Sequence, residues 1–315
     1  MKKTILITGT YISHVVAFEQ AYKTVIIDNL VNSSIENLDI EKILGYKPDF
    51  FELDLRDKDK LKEVFSKYNF DVVHFALKSV ESCEKTLEYF DNNIVSLRLF
   101  EVMQEFGVKN IIFSSSATVY DMTKRPVSLK TGLNEENLTN TTNPYTTKFL
   151  LEQILIDLSK FAFRVINMRY FNPIAHESGF LEDPKGIPNN LLPYVMKVAN
   201  KEYEFVRVFN NYDTVDGTVR DYIDVVDLID HLKAYEKINI NFFEVYNLTG
   251  RVSVLEMIKE VSDIVFEVVY KIYDRRPDLP IVFCNPEKAK KELWEAKTSL
   301  EDSLRNSWKF YKKYE

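Results

Sequence analysis

The sequence predicts an α/β protein, a doubly wound parallel sheet followed by a smaller α+β lid. Three observations carry this. Short apolar runs such as Thr4-Ile5-Leu6-Ile7 and Thr24-Val25-Ile26-Ile27 have the unbroken hydrophobicity of strands buried on both faces. Helical stretches separate these runs one by one, which implies right-handed crossovers between parallel neighbours. After residue 170 the segments shorten and their order becomes irregular. We therefore expect residues 1–170 to form the parallel-sheet domain. Residues 171–315 should form the lid, with elements crossing back to the first domain.

Taken in order, Lys3 to Thr8 is a buried strand, and Gly9-Thr10 turns it into a helix from Tyr11 to Ala21. Thr24 to Ile27 is the next strand and ends at Asp28. Asp49 to Leu53, Asp71 to Phe75, Asn110 to Phe113 and Phe163 to Met168 repeat the pattern. Helices are expected over Lys58 to Tyr68, Leu87 to Phe106 and Tyr145 to Lys160. The last opens at Asn143-Pro144, and proline suits a helix's first turn because its missing amide would have no partner there. Sheets of this kind gather ligands at the carboxyl ends of their strands. Thr8-Gly9, Asp28, Asp54, Phe75-Ala76, Ser114 to Ser116 and Tyr170-Phe171-Asn172 all fall there. Asn172 to Asn190, rich in Pro, Gly and Asn, reads as loop. Glu204 to Phe209, Asp224 to Lys237, Phe243 to Leu248 and Val254 to Val261 supply the interleaved elements of the lid.

The 315 residues are 45% hydrophobic, enough to bury one large core or two joined ones. A net charge of −7 without a basic run speaks against nucleic acid as a partner, and no apolar run is long enough to span a membrane. The opening Met1-Lys2-Lys3 precedes too short an apolar run for a secretory leader, so the cytoplasm is the expected compartment. Cys83 and Cys284 make neither a disulfide framework nor a metal spacing, and no metal is expected. One count is out of line: 8 glycines, where ordinary usage of about 7% would supply more than twice as many.

The chemistry-bearing groups cluster at the strand ends. Tyr145 and Lys148 stand three apart and so share one side of their helix. An ammonium beside a phenol favours the phenolate and lowers its pKa, which suits the pair to take a proton from a sugar hydroxyl. Packing for the tyrosine and solvent for the lysine is the ordinary fate of such a pair; the strand upstream, ending in Ser114-Ser115-Ser116, changes the balance. Gly9 stands where a dinucleotide fold (a Rossmann-type sheet) places its phosphate turn. Asp28 stands where a carboxylate accepts both ribose hydroxyls of NAD and repels a 2′-phosphate.

Motifs along the whole chain resemble those of the UDP-glucose 4-epimerase family of extended short-chain dehydrogenases/reductases. They are Thr8-Gly9-Thr10-Tyr11-Ile12-Ser13-His14, Ile27-Asp28-Asn29-Leu30, His74-Phe75-Ala76-Leu77-Lys78, Ser114 to Tyr120, Asn143-Pro144-Tyr145, Arg169-Tyr170-Phe171-Asn172-Pro173, Gly186 to Asn190, Asp216 to Tyr222 and Arg275-Arg276-Pro277-Asp278. The resemblance implies NAD as cofactor, a UDP-hexose as substrate and a homodimer. It makes Tyr145 the base, Lys148 its activator and Ser116 the hydroxyl that bonds the sugar. It places Gly9, Tyr11, Ile12, Asp28, Asn29, Asp54, Leu55, Phe75, Ala76, Lys78, Asn93, Ser114 and Tyr170 on the cofactor, with Tyr145 and Lys148. Asn172, Asn190, Arg220 and Arg276 fall on the nucleotide of the substrate, and Val282 on the wall of the sugar pocket. Residues 1–170 are then the NAD-binding domain and 171–315 mainly the UDP-sugar domain.

The departures share one form. The family's phosphate turn reads Thr-Gly-Gly-X-Gly-Tyr-Ile-Gly-Ser-His, and removing its last three glycines yields residues 8–14. A glycine is likewise missing after Ala76, Val80, Tyr120, Tyr145, Ile174, Thr218, Leu248 and Pro277, so Tyr-X-X-X-Lys becomes Tyr-X-X-Lys. Restoring about 18 glycines brings their content near the usual level. We read this as a gene in which a reassigned stop codon encodes glycine and is omitted on translation. The rival is a real chain with a degraded loop, a binding protein without catalysis. Among other enzymes of the fold, a 4,6-dehydratase needs an Asp-Glu pair where this chain has Ala117-Thr118. A nucleotide-sugar decarboxylase needs a basic residue for a C6 carboxylate, and none is clearly placed.

Overall fold

The computed structural model describes residues 2–9, 22–30, 46–75, 86–120, 132–136, 147–161, 163–174, 191–209, 218–224, 227, 243–248, 251–273, 281–292 and 295–313. The chain divides into two compact units. The first comprises residues 1–121, 138–170 and 232–246, and the second residues 122–137, 171–231 and 247–315.

The first unit is built on strands β1 (Lys3–Thr8), β2 (Tyr22–Asp28), β3 (Asp49–Glu52), β4 (Val72–Phe75), β5 (Asn110–Ser116) and β6 (Arg164–Tyr170). With β10 (Phe243–Leu248) they form a seven-stranded sheet in the order β10-β6-β5-β4-β1-β2-β3. Pairing from β3 through to β6 is parallel throughout. The order reverses beside β1, the mark of a doubly wound sheet whose ligands sit where it turns. Helices α1 (Lys58–Lys67), α2 (Thr86–Glu105) and α3 (Thr147–Ser159) alternate with these strands. Asp57 caps α1 by accepting the Lys60 amide at 3.1 Å. Leu6, Val25, Val73 and Ile111 face a cluster with Leu61, Phe65, Leu99, Met103, Leu151 and Leu155 from the helices. Ile5, Ile7, Ile26 and Ile112, whose side chains alternate with these, are equally buried, so both faces of the sheet are covered. The sheet and its parallel order are those expected, and β5 and β6 run further than the apolar pattern indicated, into Ser116 and Tyr170.

The second unit holds β7 (Asn172–Ile174), α4 (Leu191–Ala199), β8 (Val206–Phe209), β9 (Val219–Asp224), β11 (Arg251–Ser253), α5 (Val254–Ile264), β12 (Tyr270–Tyr273), β13 (Ile281–Val282), α6 (Glu287–Glu292) and α7 (Leu300–Lys313). Strand β9 pairs with β11, β13 and β7, and β8 pairs with β12. Val195, Met196, Val206, Val208, Met257, Ile258 and Leu304 fill its core. Ser253 caps α5 in a reciprocal box with Glu256. Asn172 to Ile174, expected as the start of a loop, instead pairs with β9. Pro173 lacks the amide a central strand would need, and a short edge strand tolerates that. Asp227 accepts the backbone amides of Lys297 and Thr298, a structural role for the second carboxylate of Asp224-Val225-Val226-Asp227.

Candidate active site

In the first unit the parallel register brings the strand ends together. Thr8 lies beside Ile27 on one side and Phe75 on the other, and Asp28 lies opposite Glu52. Gly9 leaves β1 with φ 81, a left-handed conformation that glycine adopts at no steric cost, and its amide donates to the Ile27 carbonyl at 3.0 Å. The Asp28 carboxylate is buried and accepts the Leu30 amide at 2.7 Å. Leu30 itself has φ 56, a strained value for a branched side chain, so the turn after β2 is held against its local preference. Asn29 donates to Asp54 at 3.3 Å, and Arg56 grips the same carboxylate with Nε at 2.9 Å and Nη2 at 2.6 Å. The Arg56 side-chain bonds, against some burial, hold Asp54 down at about 2. Leu55 packs on the edge of the core. Phe75 is wholly buried, stacked on Phe113 and edge-on to Phe100, so a ligand at this strand end meets its backbone and not its ring.

Ser116 stands opposite Tyr170 across β5 and β6. Its Oγ accepts the Thr118 amide at 3.2 Å, capping the 3₁₀ turn Ala117–Val119. The cap occupies a lone pair and leaves the hydroxyl proton to be donated elsewhere. Ser114 is buried; its Oγ lies 3.0 Å from His74 Nε2 and donates to the Tyr170 hydroxyl at 3.5 Å. Burial pushes the Tyr170 phenol well above its ordinary pKa, so it stays protonated and takes no part as a base near neutral pH. Lys148 is the second residue of α3, half-buried, and α3 packs on β5, β6 and the 3₁₀ turn. Asn93 lies on α2. Tyr11, Ile12, Ala76, Lys78, Tyr145, Asn190 and Arg276 lie outside the described residues, as does the helix expected over Tyr11 to Ala21.

In the second unit β13 sets Val282 directly opposite Arg220 of β9. Val282 is buried, and Arg220, half-buried, donates through Nη1 to the Val219 carbonyl at 2.8 Å. Asn172 donates its side-chain amide to the Asp221 carbonyl at 2.7 Å. The outer face of β8 and β12 had no role expected from sequence. There Arg207 lies 5.8 Å from the Tyr273 ring centre, Lys271 lies 3.7 Å from that of Phe205, and Phe209 meets Tyr273. The signal was present as rings and cations at alternate positions, Phe205-Arg207-Phe209 and Lys271-Tyr273. These ring–cation and ring–ring contacts run across the pair of strands and tie their exposed faces together. Also unassigned was His74, whose burial in the middle of an apolar strand marks it as a bonded group rather than a surface one.

The fit to a dinucleotide is physical: a glycine at positive φ ends β1, and a buried carboxylate ends its parallel neighbour. Among the described residues no cluster of His, Cys, Asp or Glu could hold a metal ion, and no helix is long and apolar enough to cross a membrane.

Comparison with known proteins gives the following. The family model described as NAD dependent epimerase/dehydratase family matches residues 7–249. A UDP-glucose 4-epimerase of Bacillus subtilis (strain 168) is 46% identical over 330 aligned positions, covering 97% of this chain and 96% of the relative. That alignment is longer than the chain's 315 residues, so the relative carries residues where this chain has none. The UDP-glucose 4-epimerase of Bifidobacterium longum, solved in complex with NAD+ and UDP, is 40% identical with a TM-score of 0.86, covering 99% of this chain and 98% of that one. The enzyme of Stenotrophomonas maltophila, solved with NAD and formylated UDP-arabinopyranose, is 34% identical with a TM-score of 0.88 over 99% and 98%.

Proposed function

Because the chain belongs to the NAD dependent epimerase/dehydratase family, we propose that it inverts C4 of UDP-hexoses, interconverting UDP-glucose and UDP-galactose through a 4-keto sugar. The observation that carries this reading is the meeting of β5 and β6 at their carboxyl ends, where Ser116 lies opposite Tyr170 beside the helix that bears Lys148. Bound NAD supplies the redox capacity for C4. Asp28 accepts the two hydroxyls of its ribose, and Asp54, with Asn29, borders the adenine end. Gly9, Tyr11, Ile12, Leu55, the Phe75 backbone, Ala76, Lys78, Asn93, Ser114 and Tyr170 complete the cofactor's surroundings. Residues 1–170 hold the cofactor, and residues 171–315 hold mainly the UDP-sugar.

Ser116 accepts a hydrogen bond from the sugar's 4-hydroxyl on its remaining lone pair and donates its own proton to Tyr145, so that the proton leaving the 4-oxygen is relayed through the serine to the phenolate. Tyr145 is the base, and the ammonium of Lys148 keeps its phenol acidic enough to act near neutral pH. Asn172, Asn190, Arg220 and Arg276 grip the UDP, the arginines through charge-assisted bonds. The keto sugar turns about the pyrophosphate while UDP stays held, and Tyr145 returns the proton once the opposite face of C4 is presented. Incubation of the protein with UDP-galactose should yield UDP-glucose, with NAD recovered from denatured protein. Failure to form UDP-glucose while NAD is retained would favour a non-catalytic binding protein.

The missing glycines bear on this test. The phosphate turn and Tyr145-Thr146-Thr147-Lys148 match the family's motifs once glycines are restored, and the longer alignment of the relative is in keeping with that. The intact mass of the protein from its native host should exceed that of the 315-residue chain by whole glycine residues. An identical mass would refute the reassigned codon. We further expect two copies to associate. Leu97 on α2 and Leu150 on α3 are exposed apolar side chains on helices that pack together, a surface suited to a second copy, and sedimentation at graded concentration tests it.

A further inference from the structure

We propose that Ser115, Glu152 and Arg169 are positioning residues, a buried clamp that sets the rotation of α3, and with it Lys148, against the strand ends bearing Ser116 and Tyr170. The inference rests on the epimerase reading above. Glu152 and Arg169 are 1% and 3% exposed, among the most deeply buried charged groups of the first unit. Arg169 meets the carboxylate with two prongs, Nε to Oε1 at 3.1 Å and Nη2 to Oε2 at 2.6 Å. Ser115 donates its hydroxyl to the same Oε1. The third guanidinium nitrogen, Nη1, donates to the Tyr120 hydroxyl at 3.1 Å, with the ring 4.9 Å from the guanidinium carbon.

Each leg stands next to a site group. Ser115 and Arg169 face each other across β5 and β6, one register step before Ser116 and Tyr170. Tyr120 closes the turn that Ser116 caps. Glu152 follows Lys148 by four residues, one helical turn along the same side of α3. A buried ion pair is a poor source of stability, because desolvation offsets the attraction and an apolar pair of like volume often serves as well. What an apolar pair lacks is direction. A two-pronged bond loses alignment as soon as the helix turns or slides, so it sets an angle that packing alone leaves loose. Burial works against the charge on Arg169, but its bonds to Glu152 outweigh this and raise its pKa, so the guanidinium stays charged.

The test pairs two variants. Glu152→Met with Arg169→Met replaces the ion pair by flexible apolar chains, and Ser115→Ala removes one leg while leaving the pair. Melting temperature, bound NAD, kcat and KM on UDP-galactose are measured for each. A clamp predicts retained fold and NAD, KM within about 2-fold of wild type, and kcat lowered about 10- to 100-fold in the double variant, the scale of loss for a slightly misplaced catalytic group. Ser115→Ala should lose kcat in the same direction to a smaller extent. Wild-type kcat in both folded variants would overturn the inference and leave the pair a packing feature. Should the double variant not fold, Ser115→Ala decides: lowered kcat at constant KM upholds the clamp, and unchanged kcat overturns it. A wild-type protein that fails to convert UDP-galactose sinks the epimerase reading and this inference together, and does so before any variant is made.

Discussion

Gly132→Ala should destabilise the protein far more than Gly107→Ala, although both glycines have positive φ, 65 and 72. Gly107 ends α2: its amide bonds the Gln104 carbonyl at 3.2 Å and the Val108 amide bonds Met103 at 2.9 Å, the paired bonds of a left-handed helix stop. A Cβ there meets nothing within 4 Å, so alanine costs only the left-handed backbone, about 1 kcal/mol. At Gly132 the same Cβ would lie 2.5 Å from the Cys284 carbonyl carbon and 2.7 Å from its oxygen. Those atoms are backbone, held by Leu133 bonding Phe283 and by Asn285 bonding Leu133, both at 2.9 Å, so they cannot step aside cheaply. Overpacking adds about 1–3 kcal/mol, for a total of about 2–4 kcal/mol. At about 2 °C per kcal/mol for a chain of this size, Gly132→Ala should melt ~4–8 °C lower and Gly107→Ala ~2 °C lower. Scanning calorimetry of the two variants beside wild type gives both numbers. Equal shifts would refute the steric argument and reduce both sites to backbone preference.

Tyr145→Phe should keep fold and NAD while turnover falls at least ~100-fold, the lower range for a positioned base; progress curves on UDP-galactose check it. Asp28→Ala should weaken NAD and relax discrimination against NADP, read by identifying the nucleotide released on denaturation; NADP in the wild type would contradict the assignment. On the proposed placement of Val282 in the wall of the sugar pocket, Val282→Tyr should selectively suppress turnover of UDP-N-acetylhexosamines relative to plain UDP-hexoses; the ratio of the two turnover rates is the measurement. Asp54 has its pKa lowered from 3.8 to about 2 in the folded protein, so its pairing with Arg56 contributes stability above pH 3.8 that is lost as pH falls towards 2. Arg56→Leu should therefore flatten the acid slope of stability in that window, seen by urea unfolding at a series of pH values.

The strands were legible because burial on both faces leaves an unbroken apolar run, and the carboxyl-end residues Asp28, Ser116 and Tyr170 followed from the parallel order. The last residues of β5 were less so: three serines have little strand preference, and only pairing with Met168 to Tyr170 keeps them extended. Asn172-Pro173 read as the start of a loop from its composition, yet it pairs with β9, where an edge position tolerates proline. Glu152 and Arg169 were invisible as a pair, because a charge on a helix normally faces water and nothing local tells that a strand 17 residues on supplies its partner. Phe75 was placed at the right strand end, but which part of it faces a ligand depends on the packing of Phe100 and Phe113, a property of the assembled core.

The far edge of the large sheet has a consequence for how the protein is made. Strand β6 is covered on one side by β5 and on the other by β10, whose first residue is Phe243. A ribosome adding about 5–20 residues per second leaves several seconds between the emergence of Tyr170 and that of Leu248. During that interval β6 presents an open row of amides and carbonyls, with the apolar Val165, Ile166 and Met168 along it, a template for another nascent chain. A fragment ending at residue 170 would keep that edge open permanently. Such a fragment should aggregate when expressed alone, and one extended through residue 248 should aggregate less, so that the late synthesis of β10 leaves the nascent chain open to aggregation until the sheet is closed.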